Sequence, residues 1–213
     1  MATPAFLGVD LGGTGAKAGL FDAHGRMLGF GQRTYAPEVS PDGHAEIPIE
    51  VIETAARESV QAALAEAPDR PPAALAVSSQ GQTYVALDAA DRPLHRAVMW
   101  YDSRAAEQAA RLTERFSALP ETARPPLNAL STLAKIEWWR ERDPALMRRA
   151  RRFLLLPEFL SYRMTGEAVT DLNTAQSVGL LVEAAGDWSE AALDRVGWTR
   201  DQFARVLRPG GPI

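Results

Sequence analysis

Near the amino terminus, the run Asp10-Leu-Gly-Gly-Thr-Gly-Ala-Lys17 brings together a carboxylate, a cluster of glycines, a hydroxyl and a cation. A tight glycine-rich turn between two extended segments can aim several backbone N–H groups at one anion. Gly12, Gly13 and Gly15 supply the turn, Thr14 adds a hydroxyl donor, and Lys17 adds positive charge beside it. Asp10, at the end of the first apolar run, can hold a divalent metal or its water next to bound phosphates. Glycines alone would describe an ordinary hairpin. Asp, Gly, Gly, Thr and Lys together in a strand-turn-strand favour an anion seat. The run does not match G-x-x-x-x-G-K-[ST], and no helix opens directly after it, as a dinucleotide-binding glycine loop requires.

The elements that must position these residues follow from apolar periodicity. Residues 6–10, 16–21 and 26–33 are extended runs separated by turn residues, which predicts two hairpins in series and a three-stranded antiparallel meander. A helix begins near Pro48 or Ile49, with Ile49, Ile52, Ala56, Val60 and Ala63 on one face. After Pro71-Pro72, residues 73–78 and 84–88 read as buried strands joined by the polar loop Gln80-Gly81-Gln82. A polar loop between two buried strands needs a reason to be there, and Gln82 is read as ligand-facing. The apolar run 97–100 leads into Tyr-Asp-Ser-Arg, and 105–116 is helical with Ala105, Ala109, Leu112 and Phe116 on one side. Residues 130–142, 145–152 and 157–164 read as helices, 177–183 as an extended return, and 188–196 as a last helix. This order predicts an α/β fold with a mixed sheet flanked by helices, not a doubly wound parallel one.

Composition narrows the function classes. The 213 residues carry 23 Lys+Arg against 27 Asp+Glu, a net charge of −4 that argues against nucleic acid as a partner. There is no cysteine, which excludes disulfides, thiolate zinc sites and Cys nucleophiles. No apolar run is long enough to span a bilayer, and the first residues lack the pattern of a secretory signal, so a soluble cytoplasmic protein without membrane partners is expected. The basic run 148–152 spreads around a helix axis and reads as a solvated face. Trp138, Trp139, Trp188 and Trp198 read as packing residues, Lys135 as structural, and Asp171 equally as a site carboxylate or a helix cap.

The Asp10–Lys17 residues resemble the first phosphate loop of the actin-like ATPase superfamily, which implies an RNase-H-like fold and ATP with Mg2+. The sugar-kinase branch with a cysteine-rich zinc site (ROK) loses support in a chain without cysteine. Two downstream segments, "SSQGQTYVALDAADRPLHRAVMWYDSRA" and "LAKIEWWRERDPALMRRARRFLLLPEFLSYRMTGEAVTDLNTAQ", resemble the FGGY carbohydrate kinases, and "DWSEAALDRVGW" fits the stretch after them. The resemblance covers nearly the whole chain. It implies that Asp10 positions metal and phosphate, that Gly12, Gly13, Thr14, Gly15 and Lys17 bind the nucleotide, and that Gly81, Gln82, Trp100 and Asp102 bind a sugar or polyol. Gly81 brings no side chain, so this pocket departs from the Arg-Glu pair of glycerol kinases. Trp100 can lie flat on the apolar face of a sugar, though the apolar run before it equally suits plain core. Arg104 is read as the ion-pair partner of Asp102 or as a helix N-terminal residue.

In that family the general base is an Asp in a Gly-Gly-Asp segment, expected here beyond Ile213. Residues 1–213 are therefore expected to be the N-terminal sugar-binding domain of such a kinase, incomplete at its C-terminal end, lacking the second, nucleotide-binding domain and inactive alone. An isolated half of this kind would expose the apolar face that meets its partner domain, which favours a homo-oligomer. The rival expectation is a non-catalytic sugar-binding or regulatory domain with an actin-like fold.

Overall fold

The computed structural model describes residues 3–208, and the chain divides into two compact units. The first comprises residues up to 38 together with 47–80, and the second 39–46 with the rest from 81 onward. The Pro-Gly-Gly-Pro-Ile terminus lies outside the described residues.

In the first unit, β1 (Ala5–Leu11), β2 (Gly15–Asp22) and β3 (Met27–Thr34) form the expected antiparallel meander. Two short strands, β4 (Glu38–Val39) and β5 (Ala45–Ile47), precede helix α1 (Ile49–Ala65), and β6 (Pro72–Ser79) then returns parallel to β1. The sheet order is β3-β2-β1-β6, a mixed sheet. Strict alternation along β1 buries Ala5, Leu7, Val9 and Leu11 on one face and turns Phe6 and Asp10 to the other. Helix α1 covers the buried face with Ile49, Ile52, Ala55, Ala56, Ser59 and Ala63. Ser59, not the expected Val60, completes this face, and its hydroxyl donates to Ala16 O at 3.1 Å and to Ala55 O at 2.8 Å. The helix lies directly on β3 because that strand carries glycine beneath it. A Cβ at Gly29 would fall 2.1 Å from Ala63 O, and one at Gly31 2.0 Å from Ser59 O.

The opposite face is open. Phe6 and Phe30 are 42% and 41% exposed there, and a shallow concavity of about 390 Å³ is lined in part by Gly8, Gly19, Phe21, Met27 and Phe30. Strand β6, expected to be buried, is largely exposed. The strand pairing explains the difference: β6 is the edge of its sheet, bonded to β1 alone.

The second unit is built on a sheet of order β4-β5-β8-β7-β9, from β7 (Tyr84–Leu87), β8 (Ala97–Val98) and β9 (Arg152–Leu155) with the short strands before α1. Strand β7 is buried at every residue, as a strand paired on both sides must be. Helices α2 (Ala106–Ser117) and α3 (Thr132–Arg142) share a core with it through Tyr84, Val98, Leu112, Phe116, Leu133 and Ile136. The expected helix over 145–152 is corrected: α4 (Pro144–Met147), capped by Asp143, ends early and the chain enters β9. Pairing with β7 in the register Val85↔Leu154 overrides local helix propensity there. Helix α5 (Leu156–Thr165) stops at Gly166, whose φ of 79° closes the helix. Strand β10 (Val169–Asp171), helix α6 (Leu172–Gln176), the hairpin of β11 (Leu181–Val182) with β12 (Asp187–Trp188), α7 (Glu190–Val196) and β13 (Arg205–Leu207) complete the unit. The extended return expected over 177–183 is thus confined to β11.

Two outcomes test this packing. Gly31→Ala forces backbone apart and is expected to destabilise the chain by about 2 kcal/mol, read as a lower urea midpoint at unchanged slope. Glu158, in the first turn of α5, is 2% exposed, and burial pushes its carboxyl up to about 7. A carboxyl that binds its proton more tightly when folded stabilises at low pH and loses that contribution as pH rises from the ordinary 4.5 through 7. Glu158→Gln is therefore expected to raise the melting temperature by roughly 4 °C at pH 8 and to change it little at pH 4.5.

Candidate functional site

In the first unit, the Gly12–Gly15 bend is held through its carbonyls. Gly12 N–H donates to Gly15 O at 2.9 Å, Tyr35 N–H to Thr14 O at 3.0 Å, and the Tyr35 hydroxyl to Gly12 O at 2.6 Å. Tyr35 is nearly buried, and burial, helped by the Asp10 charge, pushes its hydroxyl up to about 12, so it remains a donor. Gly15 must be glycine, since a Cβ would stand 2.7 Å from Arg33 O. The carbonyls of Gly12, Thr14 and Gly15 are thus occupied, while the N–H groups of Gly13 and Thr14 have no partner among the described residues. Thr14 is exposed and Gly13 half-buried, and unpaired amides in such a turn can bind an anion.

Asp10 and Lys17 are cross-strand partners in the β1–β2 register, and both are exposed. They stand on the open sheet face, one pair before the register ends at Leu11↔Ala16. Among the described residues no cluster of three or more His, Asp or Glu side chains is placed to hold a metal. Asp10 offers a single carboxylate beside the free amides.

In the second unit, Gly81 is exposed and Gln82 half-buried, at the start of β7. Gln82 has a φ of 61°, and Thr83 N–H donates to Gly81 O at 2.8 Å across it, a strained three-residue turn. A side chain at position 81 would meet Ser177 Oγ at 3.2 Å, so glycine leaves that space clear. Thr83 is fully buried, and its Oγ1 accepts from Trp100 N–H at 3.0 Å, tying the backbone next to Gln82 to that of Trp100.

Trp100 is 41% exposed, with Tyr101 edge-on at 5.4 Å. Its backbone is pinned from inside by Lys135 of α3, whose Nζ donates to Met99 O and to Trp100 O, each at 2.9 Å. Lys135 is fully closed from solvent, and burial pulls its ammonium down to about 8. Sequence reasoning took Lys135 as structural and passed over Thr83, Tyr35 and Gln80. Only three-dimensional proximity gives them their roles.

Asp102 needs a correction. It is 0% exposed, and both oxygens are engaged: Oδ1 accepts from Arg104 N and Nε, and Oδ2 from Ala45 N–H at 2.6 Å and Arg104 Nη2 at 2.7 Å. A buried carboxylate must be paired, and this pairing leaves it no lone pair directed at solvent. Arg104, the expected partner, also bonds Glu46 at 2.6 Å and lies over the Trp138 ring at 4.8 Å. Asp102 thus positions the segment that carries Trp100.

The remaining polar features are structural. Asp171 accepts from Asn173 N, Thr174 N and Thr174 Oγ1, a helix cap. Arg149 and Arg152 of the basic run pair with Asp88 and Asp91 at 3.5 and 3.8 Å, and Arg151 with Asp201. His95 stacks on Trp139 at 4.8 Å, and burial lowers its pKa to about 4.

Residues 5–211 match the model of the FGGY family of carbohydrate kinases, N-terminal domain. A gluconokinase of Bacillus licheniformis is 26% identical over 210 residues, covering 96% of this chain and 40% of the relative. A xylulose kinase of Streptomyces coelicolor is 30% identical over 211 residues, covering 97% of this chain and 43% of the relative. The crystal structure of a xyloylose kinase from Brucella ovis superposes with a TM-score of 0.88 at 26% identity, over 95% of this chain and 43% of that one. The chain thus spans about 40% of the length of the curated gluconokinase it matches. Its fold is that of the actin-like ATPase sugar kinases.

The Lys135 contacts predict a local effect. Lys135→Met removes two charge-assisted hydrogen bonds and is expected to cost about 2 kcal/mol. Hydrogen exchange at the Trp100 amide should quicken by roughly tenfold or more, with the α3 amides less affected. Equal acceleration across α3 and the Trp100 segment would show that Lys135 merely packs the helix.

Proposed function

The chain belongs to the FGGY family of carbohydrate kinases, and from that premise we propose that it serves the ATP-dependent phosphorylation of a hydroxyl on a sugar, ketose or sugar alcohol. One observation carries the reading: two main-chain amides, of Gly13 and Thr14, stand without partners beside Asp10 and Lys17. In this reading Gly13 and Thr14 donate to phosphoryl oxygens, while Gly12 and Gly15 shape the bend and Lys17 adds long-range attraction. Asp10 fits a magnesium ion shared with the nucleotide, because magnesium takes one or two carboxylates and fills the rest of its shell with phosphate and water. When bound, that ion neutralises charge on the phosphates.

Gln82 supplies a donor and an acceptor to the acceptor's hydroxyls, and the exposed Trp100 ring lies against its C–H face. Gly81 leaves room beside them, and Asp102, Arg104, Thr83 and Lys135 keep them in register. The names of the relatives, gluconokinase and xylulose kinase, support a polyhydroxylated acid or ketose as the acceptor. No residue of this chain is assigned as the base that takes the hydroxyl proton. That step belongs to the whole protein.

ADP release by the whole protein carrying this chain, across ketoses, polyols and aldonates, tests the reading. Asp10→Ala is expected to lower kcat by roughly a hundredfold or more while sugar affinity by calorimetry stays unchanged. Trp100→Ala and Gln82→Ala are expected to weaken sugar binding by about tenfold and to leave the KM for ATP alone. Loss of sugar affinity in Asp10→Ala with intact phosphate handling would reverse the role assignments. Sugar binding without turnover on any acceptor would favour a non-catalytic sugar-binding domain.

A further inference from the structure

Gln80 follows the last residue of β6 and lies beside the Gly12–Gly15 bend. Its N–H donates to Leu11 O at 2.9 Å, carrying the β1–β6 pairing one step past the strand and fixing the residue at the lip of the turn. Both polar atoms of its side chain are closed from solvent, and neither has a hydrogen-bond partner among the described residues. The amide packs where Gly13 lacks a side chain: a Cβ there would stand 3.6 Å from Gln80 Oε1.

Leaving a primary amide buried and unpaired is costly, and native structures retain such groups for a reason. Four of the nearby carbonyls are already engaged. Leu11 O is taken by Gln80 N, Gly12 O by Tyr35 Oη, Thr14 O by Tyr35 N, and Gly15 O by Gly12 N. The groups left over at this bend include three kinds of donor, the amides of Gly13 and Thr14 and the Nε2 of Gln80, together with the Gln80 Oε1. Unspent donors around one turn call for an acceptor brought in from outside, and an anionic oxygen is the acceptor that two main-chain amides beside a lysine select.

We propose that Gln80 is a ligand-contacting residue, its Nε2 donating to an oxygen of the phosphoryl group seated on the Gly13 and Thr14 amides. The assignment rests on the phosphate reading above and adds a donor that the glycine-rich run itself does not contain.

The test uses the full 213-residue chain and magnesium tripolyphosphate as the probe. Gln80→Met keeps the length and removes both polar atoms. Without ligand it is expected to melt higher than wild type, because an unpaired buried amide has been removed. A purely structural Gln80 would melt lower on the same change. By calorimetry, Gln80→Met is expected to bind tripolyphosphate roughly tenfold or more weakly. Gln80→Glu keeps the shape and replaces the donor with a carboxylate, and should lose binding at pH 8 even if the methionine variant folds poorly. Wild-type chain that takes up no tripolyphosphate overturns the phosphate reading, and this proposal with it. Binding that survives both substitutions within about twofold, with a lowered melting temperature for Gln80→Met, overturns the proposal and leaves the phosphate reading standing.

Discussion

The burial of Asp102 is the constraint from which the second unit's site follows. A carboxylate taken wholly out of water must be matched by donors, and here Arg104 and the Ala45 amide provide them. Meeting that demand recruits Glu46 to the far side of the Arg104 guanidinium and Trp138 to its face. Lys135, buried nearby, feels the Asp102 charge and spends its donors on the carbonyls of Met99 and Trp100. A tryptophan two residues from a buried ion pair, bonded at both its N–H and its C=O, has little freedom left in its backbone. Its ring is nevertheless exposed. The polar work is done underneath, and the apolar face is left exposed on a rigid support.

The first unit uses the complementary device. Around the glycine bend the carbonyls of Gly12, Thr14 and Gly15 are satisfied, and the amides of Gly13 and Thr14 are left over. Tyr35 is central, since its amide and its hydroxyl each take one carbonyl of the turn and prevent those carbonyls from repelling an anion. Burial keeps the tyrosine protonated, so it remains a donor at any ordinary pH. The alternation of β1 then decides where the chemistry faces. Because Leu7, Val9 and Leu11 must meet α1, Asp10 must point the other way, and the β1–β2 register brings Lys17 opposite it.

Several readings changed character once contacts were known. Asp171 became a cap because three donors converge on it, and the basic run became a set of ion pairs because β9 pairs with β7 and carries it past Asp88 and Asp91. The misplaced helix over 145–152 and the exposed β6 have the same origin. Local composition reports what a segment prefers, whereas the number of neighbours it pairs with decides what it does. Alanine-rich β6 reads as interior, yet it lies at the edge of its sheet.

What the residues determined by themselves was the part written in short-range pattern: the meander, the amphipathic faces of α1 and α2, and the glycine bend with Asp10, Thr14 and Lys17 around it. Period-two and period-3.6 alternation and the steric freedom of glycine are local properties, so they survive without a fold. The roles of Asp102, Lys135, Thr83, Tyr35 and Gln80 were decided only by tertiary structure. Each depends on whether a polar atom, once removed from water, finds a partner 17, 23, 36 or 57 residues away in the chain or finds none. Desolvation is a property of the folded interior, and no spacing along the sequence records it.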